Sequence, residues 1–432
     1  MGSSNRGWTY GFVGIFSYAL VIRLLRFRLR NSLLRKHNYL NRRAMNSMTL
    51  EEAYEIQKDI TELEFPFTFY NATSFALFKT YAIPTISKLL MNTGQLSKTE
   101  NASNRAADTA VLVTEYTFNP PASDRAVDSI ARMNYLHQGY RKAGTISDDD
   151  LLYTLALFAL EKIRWTDRFE WRTVTPLEKC AIGVFYRHLG YAMEIPFDVL
   201  NPYLPKGPNG KVLPDEEIDG LTWLEALDAW SRQYELDFMV PAQSNKDLAQ
   251  YTLDVFLIKL PKSVVPFATK VVSALLEPRV RTAMMLVQPG PIHTLLLKTT
   301  LTLRRWALMY LLPPRPGWLR VEYFTKTADP KTGRYYSTFY HVAHPWYMKP
   351  TFWSRWGPSA LLVRLTGGYI PGEASPEAVA NENWHSEGYR IQDVGPKNKR
   401  GKGEAEMAAM RDRLLENYKG AGPAGRCPMT LG

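Results

Sequence analysis

The stretch Ser147–Ile163, SDDDLLYTLALFALEKI, decides the fold class. Ser147 is placed to cap a helical first turn, Asp150 follows three residues on, and an apolar run continues to Ile163. That combination predicts a long, largely buried helix. Working outward, Thr175-Pro176-Leu177-Glu178 supplies a hydroxyl cap, a proline at the first helical position and a glutamate to close a capping box. The helix it opens should run through EKCAIGVFYRHLG and stop at Gly190. Thr222 with Glu225 opens another, TWLEALDAWSRQYELDF, and further apolar stretches punctuated by Pro261, Pro266, Pro278 and QPGP (288–291) fill Leu248 to Leu312. Period-two strand patterns with hairpin turns are scarce, so the predicted fold is all-α.

The 432 residues allow one large domain or two to three smaller ones, and an apolar content of 45 % suits a mostly globular chain. No internal repeat is present. Three regions are expected: an N-terminal anchor and basic arm (1–48), a helical body (49–348) and a polar extension (349–432). From about Pro350 the composition turns to PGEASPEAVANENWHSEG and GPKNKRGKGEAEMAAMRDR, and the last forty or so residues read as a loose tail.

The net charge of +11 suggests nucleic acid at first, but its distribution argues otherwise. Residues 1–43 hold nine Lys/Arg and no Asp or Glu, so nine of the eleven net charges belong to the N-terminal arm. No nucleic-acid partner is expected for the body. Two cysteines, Cys180 and Cys427, give neither a disulfide framework nor a Cys-rich metal site. Gly7 to Ile22, GWTYGFVGIFSYALVI, carries no charge and is followed by RLLRFRLR, the reverse of a cleaved signal peptide. Two readings stand: a single transmembrane anchor helped by a snorkelling Arg23, or an interfacial amphipathic helix. Either one places a membrane among the partners, and the basic residues after the run place the body in the cytosol. The sequons at Asn71 and Asn101 then go unused.

Gly-rich dinucleotide loops, a phosphate-loop lysine, HExxH and GxSxG are all absent. His341 and His344 sit in YHVAHPWY, which reads as a structural loop. Two other histidines fall on apolar helical faces. His188 follows Leu177, Ala181 and Val184, and His137 lies in the stripe Ala126, Ile130, Met133, His137, Tyr140. Each is either a satisfied core residue or a neutral imidazole in a dry pocket, the form haem iron takes as a proximal ligand. About thirty residues upstream of His137, Arg105 and Thr109 share a face with Leu112 and Tyr116. They suit a cavity holding an anionic or oxygen-bearing ligand, or equally a surface arginine beside a helix-lining threonine. Arg132 either pairs a propionate or lies on a solvated face. Residues 292–312 read as a core helix or as a second membrane contact.

Arg105-Ala-Ala-Asp108-Thr109, then Arg132 and His137, then the run from Thr145 to Pro196 together resemble the catalytic domain of the latex-clearing-protein and rubber-oxygenase family. The likeness is closer still to its fungal ER-bound, MpaB-like branch, which FKTYAIPTISKLLMNTGQL (78–96) and LLPPRPGW (311–318) also fit. The resemblance covers roughly residues 50–320. It implies a globin-like helical core holding haem b, with His137 matching the axial ligand and Arg105 and Thr109 matching the distal pair. Two departures stand out. Asp108 occupies the place of a lysine in rubber-cleaving members, and ISKLLMN offers no carboxylate where they carry a glutamate. The implied activity is oxygenation by O2, ending in cleavage of a carbon–carbon double bond in a prenyl-like lipophilic substrate of secondary metabolism. It would take place at the endoplasmic reticulum membrane. The rivals are a haem-less, membrane-tethered lipid carrier and a non-haem metal enzyme using His137, His188 and Glu178.

Overall fold

The structure, a computed structural model, describes residues 2–39, 41–94, 99–258, 260–340, 344–365 and 367–420. Helices α1 (Gly2–Arg26), α2 (Arg28–His37), α3 (Leu50–Asp59), α4 (Pro66–Thr80), α5 (Pro84–Asn92) and α6 (Thr99–Phe118) come first. They are followed by α7 (Asp124–Lys142), α8 (Asp148–Phe169), α9 (Pro176–Ala192), α10 (Gly220–Phe238), α11 (Gln243–Phe256) and α12 (Val265–Leu275). The remainder are α13 (Pro278–Ala283), α14 (Pro291–Tyr310), α15 (Phe352–Trp356), α16 (Pro358–Leu365), α17 (Pro376–Ala380) and α18 (Glu404–Gly420). Among the described residues β-pairing is confined to isolated bridges, so the all-α expectation holds.

The central helix is α8, the one that Ser147 caps: its side chain accepts from the Asp150 amide at 3.0 Å. Helix α4 lies along α8, α9 packs between α3 and α10, and α6 pairs with α7. The Thr175–Glu178 capping box starts α9 as expected. Helix α10 begins earlier than its sequence suggests. Asp219 caps it by accepting from the Thr222 amide at 2.9 Å, while Thr222 Oγ1 and Glu225 receive hydrogen bonds from Arg42. The early start has a packing reason. At the crossing of α9 and α10, a Cβ on Gly183 would stand 1.9 Å from the Gly220 carbonyl oxygen, so the two backbones touch where neither residue has a side chain.

One apolar core takes in buried residues from Leu33 to Leu414. The expectation of a loose tail is therefore corrected as far as residue 420; residues 421–432 lie outside the described residues. Trp384, Tyr389, Ile391 and Val394 are buried in that core, and α18 lies across α7 with Arg411 bonded to Asp124 and Asp128. Polar composition misled because the segment is held by hydrogen bonds as much as by apolar area. Arg132, 0 % exposed, is the anchor point: Nε donates to the Val394 carbonyl (2.9 Å), Nη1 to Lys402 (3.0 Å) and Nη2 to Lys399 (2.9 Å).

Among the described residues no helix is long and apolar enough to cross a membrane. Trp8, Tyr10, Phe12, Ile15 and Phe16 of α1 are nonetheless exposed, while its C-terminal half packs on α14. Tyr18 Oη donates to the Leu311 carbonyl (2.8 Å), Arg23 reaches the Tyr310 hydroxyl (3.2 Å), and Arg26 donates to Leu312. Helix α14 buries no residue and exposes Ile292, Leu295, Leu303 and Trp306, so it is a surface helix and not the core helix that its composition suggested.

Candidate functional site

A cavity of about 340 Å³ opens between α4, α6, α7 and α8, with α5, α9 and α11 completing its walls. This is the size range of small-molecule sites, and most of the lining is aliphatic or aromatic. Helix α8 contributes Asp150, Leu151, Thr154, Leu155, Phe158 and Lys162, one face followed by steps of three and four. Helix α6 lies opposite with Arg105, Thr109, Leu112, Val113 and Tyr116, and α7 adds Met133, Leu136 and His137.

The structure thus brings His137, Arg105 and Thr109 into the lining of one cavity. Ser123 caps α7, and Ala126, Ile130 and Met133 bury its apolar face. That packing turns His137, one helical turn beyond Met133, into the cavity. Burial, reinforced by the Arg105 guanidinium, pushes its pKa down to about 4, so the imidazole is neutral near pH 7. Its Nδ1 is buried with no hydrogen-bond partner among the described residues. A buried ring nitrogen left unsatisfied costs free energy unless something supplies the missing contact.

Arg105 forms no ion pair among the described residues, and its charge acts on His137, Tyr81 and Asp108. Thr109 Oγ1 donates to the Arg105 carbonyl at 3.0 Å. Its proton is committed to the helix, so toward the cavity Thr109 accepts hydrogen bonds where donation had been expected.

Arg132 is the correction among the expected site residues. It lies on the far side of α7 from His137, holding the C-terminal segment, and does not line the cavity. Asp108 also points away. It accepts from the Tyr347 hydroxyl at 2.6 Å, and burial raises its pKa to about 6. His188 lies outside the cavity against Tyr418, ring centroids 4.9 Å apart, and Glu178 is bound to Arg172. The three-residue metal site of the non-haem rival is therefore not assembled, and no group of three or more potential ligands occurs among the described residues. His344 is buried against Trp384 and Ser103; His341 and Cys427 lie outside the described residues.

Sequence reasoning missed two polar wall residues. Asp150, beyond supporting the α8 cap, accepts from Thr85 Oγ1 (2.8 Å) and the Tyr234 hydroxyl (2.7 Å). Lys162, 2 % exposed, donates to the Tyr186 hydroxyl at 2.5 Å. The signal for Lys162 was present in the sequence: Leu151, Leu155, Phe158 and Lys162 form one helical stripe with a lysine at its end.

No protein-family model matches the chain. A curated relative described as ER-bound oxygenase mpaB' from Penicillium brevicompactum is 40 % identical over 426 residues, 98 % of this chain and 95 % of its own length. The ER-bound oxygenase mpaB of the same species is 40 % identical over 371 residues, covering 86 % of this chain and 85 % of the relative. The ER-bound oxygenase mpaB of Penicillium roqueforti (strain FM164) is 44 % identical over 282 residues, 65 % of this chain and 91 % of the relative. With likeness of that degree along nearly the whole of both chains, this protein belongs to the MpaB family of oxygenases and is an oxidoreductase.

Proposed function

We propose that this oxygenase is haem-dependent and cleaves a carbon–carbon double bond of a prenyl-like lipophilic substrate at the endoplasmic reticulum membrane. The observation that carries the reading is His137: a neutral imidazole with an unsatisfied nitrogen on the wall of an otherwise apolar cavity, beside an arginine without an ion-pair partner among the described residues. A lone histidine cannot hold a bare metal ion, but it is the single protein ligand that iron in a porphyrin needs. Bound there, haem b would supply the redox chemistry that activates dioxygen.

The chain's own residues do the rest. His137 is held neutral by burial and by Arg105, so its lone pair is free for iron. Arg105 brings a fixed positive charge into a low-dielectric wall, where it would pair an anionic group of the cofactor or substrate. Thr109 presents acceptor lone pairs to whatever donates from the cavity. Phe78, Leu112, Val113, Leu155 and Phe158 exclude water and give an extended apolar chain a slot along α8. An alkene and one O2 yield two carbonyl fragments, so atoms and electrons balance without a further co-substrate.

Membrane attachment supports the same substrate class. The relatives are described as ER-bound, and α1 with α14 offers Trp8, Phe12, Phe16, Ile292, Leu295 and Trp306 on the surface next to the basic arm. Tethering there concentrates a substrate that partitions into lipid, and each Lys/Arg near anionic headgroups adds about 1 kcal/mol.

The test is an absorption spectrum of detergent-extracted protein, as isolated and after dithionite. The expected result is a Soret band in the wild type that His137→Ala abolishes and His188→Ala retains. Colourless protein after expression with a haem precursor would overturn the reading and favour the lipid carrier.

A further inference from the structure

The Lys162 end of the cavity has no role in the reading so far. Arg141 of α7 donates to the Met193 and Glu194 carbonyls and pairs with Asp148, which puts His137 near the N-terminal end of α8. Lys162 lines the same cavity from the other end of that helix. Leu151 and Lys162 are eleven residues apart, ~16 Å along the axis.

Lys162 is a buried amine at the end of an apolar stripe. Among the described residues its one hydrogen-bond partner is the Tyr186 hydroxyl, its other close neighbours are the faces of Phe69 and Tyr186, and no carboxylate pairs with it. A second group at this end is also unsatisfied. Thr117 Oγ1, buried and lining the cavity, has no hydrogen-bond partner of normal geometry among the described residues, with the Tyr116 hydroxyl alongside. An amine lacking a counter-ion on α8 and, on the facing helix α6, a buried hydroxyl with no partner of normal geometry are costly for the empty protein. A ligand head group that carries negative charge offers the amine its missing counter-ion and the hydroxyl an acceptor.

We infer that Lys162 and Thr117 form a head-group subsite that takes a carboxylate at one end of the substrate, while its apolar chain runs along α8 toward His137. The inference rests on the proposed location of the chemistry at His137, since it orients the substrate relative to that residue. It also specifies the substrate class: an amphiphile with an acidic head and an unsaturated tail. In this arrangement Lys162 is a specificity residue, and the distance from head to cleaved bond is set by the length of α8 between the two ends.

The ionisation behaviour makes the inference testable without any variant. Burial alone pushes the Lys162 ammonium down to about 7. The titratable groups that touch it or line this end are Tyr70, Tyr116, Tyr186 and Tyr323, all raised by burial and neutral through that interval. Carboxylate binding therefore weakens as pH rises past the amine's pKa, and binding of a neutral analogue does not.

The experiment measures binding of dodecanoic acid and dodecan-1-ol to the full-length protein in non-ionic detergent, by tryptophan fluorescence, from pH 6 to 9. Dodecanoate should bind at least ten-fold tighter than the alcohol at pH 6, with the margin shrinking toward pH 9. Lys162→Met should remove the preference and leave alcohol binding unchanged. Its melting temperature should not fall, because an unpaired amine is exchanged for an apolar side chain. Equal affinity for the two probes at every pH would overturn the inference even if the variant misfolds. The readout is independent of the Soret band, so loss of the haem reading and loss of this subsite are separate outcomes.

Discussion

Arg132→Met separates a structural clasp from a cofactor contact. In the structure the guanidinium donates to three carbonyls of the C-terminal segment, at 2.9, 3.0 and 2.9 Å. Hydrogen bonds from a charged donor contribute about 1.5–3 kcal/mol each, so the gross loss is on the order of 4–9 kcal/mol. Two effects reduce it. Lys402 is exposed and Lys399 half-buried, so their carbonyls rehydrate when the segment lifts, and methionine avoids the cost of burying a guanidinium. Only the Val394 carbonyl, on a residue fully buried, is left without a replacement partner. The expected net cost is about 3 kcal/mol, concentrated in residues 394–414. Because ~1.4 kcal/mol is a factor of ten, opening of this segment should increase on the order of a hundred-fold. Hydrogen–deuterium exchange resolved to peptides reads that directly, and an absorption spectrum monitors the cofactor in parallel. If exchange in 394–414 is unchanged while the Soret band disappears, Arg132 serves the cofactor and the clasp is wrong.

Three further outcomes follow from the same geometry. Gly183→Ala places a methyl 1.9 Å from the Gly220 carbonyl oxygen, so α9 and α10 must separate, with a stability loss of about 3 kcal/mol or more visible in urea melts or as insoluble protein. Protein without cofactor should lose stability as pH falls. The unfolded chain protonates its histidines near 6.5, but His137 and His188 hold out to about 4, so the unfolded state binds more protons across that window, up to about 3 kcal/mol per histidine. Urea midpoints at pH 7, 5.5 and 4.5 measure the slope, and His137→Gln should flatten it. Arg105→Met should leave folding intact and lower turnover about a hundred-fold or more while raising the His137 pKa, since the guanidinium helps hold it down; an arginine with no part in the chemistry would shift that titration and leave turnover unchanged.

Much of the fold was legible because its signals are local. The caps at Ser147 and Thr175 and the apolar stripe through Met133 and His137 depend on residues three or four apart, and the structure honours each of them. The cavity trio was legible for the same reason, since helix periodicity placed Arg105 with Thr109 on one face. The misreadings concern partners distant in sequence. Nothing near Arg132 indicates that its hydrogen-bond acceptors lie more than 260 residues away, and polar composition cannot distinguish a loose tail from one held by buried hydrogen bonds. The start of α10 was misplaced because Asp219 competes with Thr222 for the cap, and only the contact of Gly220 with α9 settles which one wins. Lys162 was overlooked although its stripe was in view, because a single lysine ending an apolar run usually snorkels to water.

The clasp also bears on how the protein matures. Helix α7 presents His137 to the cavity from one side and on the other meets a segment synthesised more than 250 residues later, with Gly395 packed against Leu136. During translation Arg132 has none of its eventual acceptors, so the histidine helix lacks its backing until the chain is nearly finished. If haem is held as proposed, its capture follows translation, and a ribosome-bound nascent chain stalled before residue 394 should be unable to retain it.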